Sequence, residues 1–226
     1  MRLKYSNKLL TVAAGALLLS ATGCKKFLDV NDNPNSPKTA TDNLVLPSTQ
    51  AAIGMAVGNN LQVFGGLYAQ YWTQNPLSSQ YKTIEQYAAK PSSFDRVWGI
   101  LYNDALEDIK LLEESRNPNY QAIALIEKAY AYQLLTDAFG DVPLTEAVQG
   151  NQTLSPHYDP QAQVYDSIFA WTKKGIALAG SSTIYPGTDD IVFGGGSAGM
   201  TKWKQFGNTL LLRAYLRISE KEPAKA

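Results

Sequence analysis

Residues 117–143 read NPNYQAIALIEKAYAYQLLTDAFGDVP, and this stretch decides the fold class. Asn117-Pro118-Asn119 interrupts the chain, because proline drives its predecessor out of helical geometry. From about Tyr120 to Ala138 a helix is expected. Ile123, Ile126, Tyr130 and Leu134 recur at three- and four-residue steps and make an apolar stripe. Ala122, Ala124, Ala129 and Ala131 let a neighbouring helix approach closely. Gly140 stops the helix and Pro143 lies just beyond, the order in which helices end.

The pattern extends in both directions. Upstream, Val97, Leu101, Ala105, Ile109 and Leu112 form a second stripe, with Asn103, Asp104, Glu107, Lys110 and Glu114 opposite, and Ser93 is placed to cap that helix. Thr49 to Trp72 reads as a further helix, broken or unusually closely packed because it holds Gly54, Gly58 and Gly65-Gly66. Downstream, 140–160 reads as loop, Pro160 to Leu178 as helix and Gly180 to Gly199 as a Gly-, Ser- and Thr-rich loop, with Gly194 to Gly199 flexible and on the surface. A last helix from near Lys202 turns Phe206, Leu210, Ala214 and Ile218 inward. Few segments alternate with period two, so the chain is expected to be all-α. Short-linked helix pairs with Tyr and Ala at the packing positions suggest a tetratricopeptide-like stack, although no clean 34-residue repeat is present.

The 226 residues suffice for a real core, and the composition is ordinary: 45% hydrophobic, 18% charged, 11% aromatic. Tyrosine is the outlier, with 13 copies against 7 Phe. It suits wet, half-buried surfaces, where its ring packs and its hydroxyl stays solvated. Nothing marks a nucleic-acid footprint, because basic residues are neither in excess nor clustered. One cysteine, Cys24, excludes an internal disulfide and a cysteine-rich metal site. A single histidine, His157, sits in a turn between Pro156 and Pro160 and leaves little room for triad or histidine–metal chemistry.

Residues 1–23 read as an export signal. Arg2, Lys4 and Lys8 precede an apolar run, Leu9 to Leu19, that is too short to span a bilayer. Removing this leader leaves 17 basic and 20 acidic side chains, a charge of −3. Ser20-Ala21-Thr22-Gly23 then leads into Cys24, which resembles the lipobox of bacterial lipoproteins, with Ala21 standing where that box prefers Leu. The resemblance implies lipidation of Cys24 after removal of 1–23, and two or more acyl chains anchor stably. Residues 24–43 are polar and turn-rich, with Asn33-Pro34-Asn35-Ser36-Pro37 among them, and read as a membrane tether.

Four phrases in order resemble the SusD/RagB family of nutrient-binding outer-membrane lipoproteins, in its SusD-like branch. They are Cys24 to Val30 with Asn33-Pro34-Asn35, then Leu135 to Ala147, then Pro156 to Asp159 with Val164 to Ile168, then Lys202 to Arg213 closing on Leu216 to Ser219. In the last, Gly207 stands where the family more often shows Ala. The resemblance implies tetratricopeptide-like helix pairs in a right-handed superhelix with long loops, with 44–226 as the N-terminal part of an incomplete domain. It implies no enzyme and no cofactor, but a cell-surface protein that passes oligosaccharides or peptides to a SusC-like TonB-dependent β-barrel transporter.

Sugar recognition needs exposed aromatic faces and nearby amides. Tyr71 to Tyr81 supplies both where a helix enters a loop, so Trp72, Gln80, Tyr81 and Tyr87 are the candidate ligand contacts. Tyr71 and Trp72 have an alternative place in the core, and Trp98, Trp171 and Trp203 are expected in packing roles. Asp137, Asp141 and Glu146 would be the carboxylates of an exported helical glycoside hydrolase or lyase, the competing enzyme reading. Asp141, however, reads as a turn former. An envelope scaffold is the third possibility. Gly194 to Gly199 lacks the Gly-Lys-Ser/Thr ending of a phosphate loop. Arg213 and Arg217 share a helix face and are expected to meet acids across an interface.

Overall fold

The computed structural model describes residues 40–225. Cys24, the export signal and most of the tether fall outside them. α1 (Asp42–Ala56) begins two residues inside the stretch assigned to the tether and seven before the expected Thr49. Pro47 lies inside the helix. It removes one backbone donor, while Val45 and Leu46, on the turn before it, are buried at 5% and 0% exposure and offset that loss.

A wider π-helical turn, Val57–Leu61, joins α1 to α2 (Gln62–Tyr68). The glycines expected to bring helices close do not do so at Gly54, Gly58 or Gly65, where an added Cβ would meet open space. α3 (Lys82–Glu85) is a single turn. A 3₁₀ turn, Pro91–Phe94, precedes α4 (Asp95–Gly99), and Ser93 caps from within that turn, its Oγ accepting the Lys90 N–H at 2.9 Å. A second π-helical run, Ile100–Leu106, leads into α5 (Glu107–Glu113). This irregularity follows from the sequence. Four-residue steps overshoot a 3.6-residue turn by about 40° each, so Val97, Leu101, Ala105 and Ile109 would spiral off one face of a regular helix. The wider π turns bring them back into register, and all four, with Leu112, are at most 1% exposed.

α6 (Pro118–Phe139) is the centre of the molecule. Asn117 caps it, its side chain accepting the Asn119 N–H at 3.0 Å, and Pro118 occupies the first turn, where its missing N–H costs nothing. The single apolar stripe expected here is too modest. Fifteen of its residues are buried, because α5, α7 (Gln161–Leu178) and α8 (Gly196–Ile218) all pack on it. Gly140 ends it at φ +80°, its N–H reaching the Thr136 carbonyl at 2.9 Å. The α6–α7 crossing is close. A Cβ on Gly175 would sit 2.7 Å from Ile126 Cγ1 and 2.9 Å from the Ala122 carbonyl. Gly207, where the family more often shows Ala, lies over Ile176, which a Cβ would approach to 2.7 Å.

α8 starts six residues before the expected Lys202. Leu210, Ala214 and Ile218 are buried as expected, and Phe206 is half-buried. Among the described residues the one β-type pairing is an isolated antiparallel bridge between Val142 and Asp159. Among them, too, no helix is long and apolar enough to cross a membrane.

Candidate functional site

The segment after α2 folds back on the helix that delivers it. Gln70 takes a left-handed backbone at φ +60°, and the N–H groups of Tyr71 and Trp72 both return to the Gly66 carbonyl, at 2.9 and 3.1 Å. The Trp72 ring then lies on Gly66 itself, where a Cβ would come within 2.6 Å of it. Glycine is required there so that the indole can dock. Glu85 on α3 closes the loop by accepting the Thr73 hydroxyl at 2.9 Å and the Gln74 N–H at 2.5 Å. These bonds, the backbone one foremost, hold its carboxyl below the usual range. Gln74 Oε1 in turn accepts the Tyr81 N–H at 2.8 Å and the Ser78 hydroxyl at 3.0 Å.

The polar frame leaves its aromatic side chains outside. Tyr71 is 86% exposed, Trp72 48%, Leu77 97% and Tyr87 57%. The core alternative for Tyr71 therefore fails, and Trp72 lies half on Gly66 and half in solvent. Tyr87, at φ +55°, leans over Tyr68 with ring centroids 5.0 Å apart and planes tilted by 31°; its hydroxyl donates to the Tyr68 carbonyl at 3.0 Å and accepts from Gln70 Nε2 at 3.3 Å. Gln80 Nε2 donates to the Tyr81 hydroxyl at 3.1 Å. The candidates thus form two anchored groups, Trp72 and Tyr87 on the last turn of α2 and Gln80 with Tyr81 further along the loop. Rings of this kind stack on the C–H face of a sugar, and the amides and phenol hydroxyls serve its hydroxyl groups.

The carboxylates of the enzyme reading are dispersed into structural tasks. Asp137 accepts the Tyr165 hydroxyl at 2.6 Å and meets Arg217 at 3.3 Å, the cross-helix pairing anticipated for that arginine. Asp141 accepts the Gln161 N–H at the start of α7 at 2.8 Å, so it caps a helix instead of closing its own turn. Glu146 lies 3.0 Å from His157 Nδ1, and His157 Nε2 lies 3.1 Å from the Thr145 hydroxyl. That superficially suggests a triad, yet the same hydroxyl donates to Asp159 at 3.0 Å, and Asp159 also takes the Leu144 and Thr145 N–H groups. The cluster is a clasp closing the Val142–Asp159 loop.

Sequence reading missed a cleft of about 430 Å³ between α5, α6, α7 and the loop after α6. On its wall Lys128 stands 4.5 Å over the Trp171 ring and 2.8 Å from Glu113. Three separate helices supply these residues, so no local pattern announces them.

Residues 34–226 match the family model described as SusD-like, starch-binding associating with outer membrane. Among solved structures, a SusD/RagB family protein from Bacteroides thetaiotaomicron VPI-5482 is 20% identical, with a TM-score of 0.65 over 80% of this chain and 39% of that one. A chitin-binding protein is 24% identical, with a TM-score of 0.67 over 81% and 40%. A chitin-binding SusD homologue from Flavobacterium johnsoniae is 22% identical, with a TM-score of 0.62 over 79% and 40%. The likeness establishes the all-α, tetratricopeptide-like fold, and the chain spans about two fifths of the length of these proteins. No curated protein matches it.

Proposed function

From the premise that this chain belongs to the SusD-like family, we propose that it captures oligosaccharides at the outer membrane and delivers them to a TonB-dependent β-barrel transporter of the SusC type. The observation that carries the reading is the frame set by Glu85 and Gln74, which fixes a loop and leaves Tyr71, Trp72 and Tyr87 in solvent. Aromatic surface held out by preformed hydrogen bonds is organised for a ligand, since little entropy remains to be lost on binding. Trp72 and Tyr87 stack on the sugar ring, while Gln80 and Tyr81 meet its hydroxyls. The chitin-binding names of two relatives support a glycan over a peptide. Lipidation of Cys24 holds the protein on the cell surface, and the outer-membrane association in the family description is in keeping with that.

Calorimetric titration with chito- and malto-oligosaccharides tests the site. Trp72→Ala and Tyr87→Ala are each expected to weaken binding about tenfold, the equivalent of about 1.4 kcal/mol, with the helical circular-dichroism spectrum unchanged. Saccharide binding that survives both substitutions would move the site elsewhere. A tagged protein drawn from gently solubilised outer membranes should bring a β-barrel with it in stoichiometric amount. If no barrel accompanies it, the delivery role fails.

A further inference from the structure

A second pocket, of about 240 Å³, opens between α1, α6 and the segment leading into α8, and it shares no residue with the aromatic loop. Tyr130, Phe193, Trp203 and Phe206 wall it, with neighbouring rings 4.9 to 5.8 Å apart for Phe193–Trp203, Tyr130–Phe206 and Trp203–Phe206. Glu127 lines the same pocket and is 3% exposed. One of its oxygens accepts the Thr49 hydroxyl at 2.6 Å, whereas the other, Oε1, is buried without a partner.

The polar groups around it are committed elsewhere. Gln50 gives its amide to Asp190 at 3.1 Å and takes the Ile191 N–H at 2.8 Å. Asp190 also holds the Trp203 indole N–H at 2.9 Å and backbone N–H groups of its own loop. The pocket therefore offers one spare carboxyl oxygen among aromatic rings, and no Lys or Arg lines it. Ring faces and a carboxylate both favour a cation, and an N⁺–H donor satisfies the unpaired oxygen. At about 30 Å³ of liquid volume per water, the space equals about eight water molecules, enough for one small ring and a short arm.

We propose that this pocket binds a small organic ammonium ion, its apolar body against the aromatic walls and its N–H on Glu127. The mouth lies beside Gly54, which is exposed, and a Cβ there would meet open space. Burial pushes the Glu127 carboxyl up to about 8, and the nearby negative charge of Asp190 adds to the rise, against the hydrogen bond from Thr49 and the nearness of the Gln50 amide. At pH 7 the free protein thus holds Glu127 as a neutral acid, and the incoming ammonium ion displaces its proton to solvent. The proposal is independent of the glycan reading, because none of its residues belongs to that site.

Benzylammonium and its neutral analogue benzyl alcohol are the probes, titrated calorimetrically into the whole chain between pH 6 and 8.5. Benzylammonium affinity is expected to rise roughly tenfold per pH unit up to about 8 and then level off, as proton linkage requires. Titrations at pH 7 in buffers of different ionisation enthalpy should show close to one proton released. E127Q should weaken binding at pH 8 at least tenfold and remove the pH dependence, and G54L should block the mouth with the melting temperature preserved. Benzyl alcohol binding as tightly as benzylammonium at pH 8 would overturn the proposal. So would a lack of benzylammonium binding at pH 8, or binding that both variants leave unchanged.

Discussion

Two loops of this protein are each organised by one acidic side chain, with opposite results. Between α7 and α8, Asp190 is 1% exposed and gathers the Gln50 amide from α1, the Trp203 indole from α8 and three N–H groups of its own loop. After α2, Glu85 accepts only Thr73 and Gln74, twelve and eleven residues away, at the surface. The first carboxylate joins distant helices; the second shapes nothing beyond its own loop. Burial makes the difference, because inside the protein an unmet donor has no water to replace its partner. The Asp190 loop belongs to the framework, and the Glu85 loop is what the framework holds out.

The largest expected effect comes from D190A. It leaves the buried Trp203 and Gln50 donors unmet, at about 1–3 kcal/mol each, so a loss of about 3 kcal/mol is expected. Thermal melts should fall by roughly 6–12 °C for a chain of this size. A drop of a degree or two would erase the contrast between the loops.

G195A should come next. Gly195 sits at φ +66°, and a Cβ would lie 2.3 Å from the carbonyl oxygens of Pro186 and Gly187. A cost of about 2 kcal/mol or more is expected in denaturant unfolding. The glycine run is thus a structural requirement of a fixed loop, which corrects its reading as a flexible one.

The smallest effect on stability belongs to E85Q. Its melting temperature should match that of the parent, while hydrogen exchange at the Gln74 amide accelerates and saccharide affinity falls. Acid should act likewise on the parent protein. A carboxyl held below its unfolded value stabilises the loop above that value and loses the contribution as pH falls through the folded one. Saccharide affinity should therefore decline once the pH falls below the ordinary glutamate range. If E85Q lowered the melting temperature as D190A does, the Glu85 loop would be framework too.

Much of the fold was legible because local chemistry sets it. Asn117-Pro118 and Gly140 bound α6, and the stripe from Val97 to Leu112 is buried in full. The start of α1 was hidden by Pro47, whose local penalty is overridden by burial that no neighbouring residue reveals. The π-helical turns were implicit in the run of four-residue steps at 97, 101, 105 and 109, a signal present in the sequence and easily taken for a regular helix. Of the candidate site, the chemistry of Trp72 and Tyr87 could be read, but their anchoring on Gly66 and Tyr68 could not. The long-range role of Asp190 gave no signal, since those partners lie at 50 and 203, and neither did the burial of Glu127, whose partner Thr49 lies 78 residues away.

The bond between Gln50 and Asp190 spans 140 residues of chain. A contact that closes so large a loop gains little until the helices between its ends are packed, so it is expected to form after the transition state. Its energy then leaves the folding rate almost untouched and falls on the unfolding rate. The Asp190 knot is therefore expected to set how long a molecule lasts once folded.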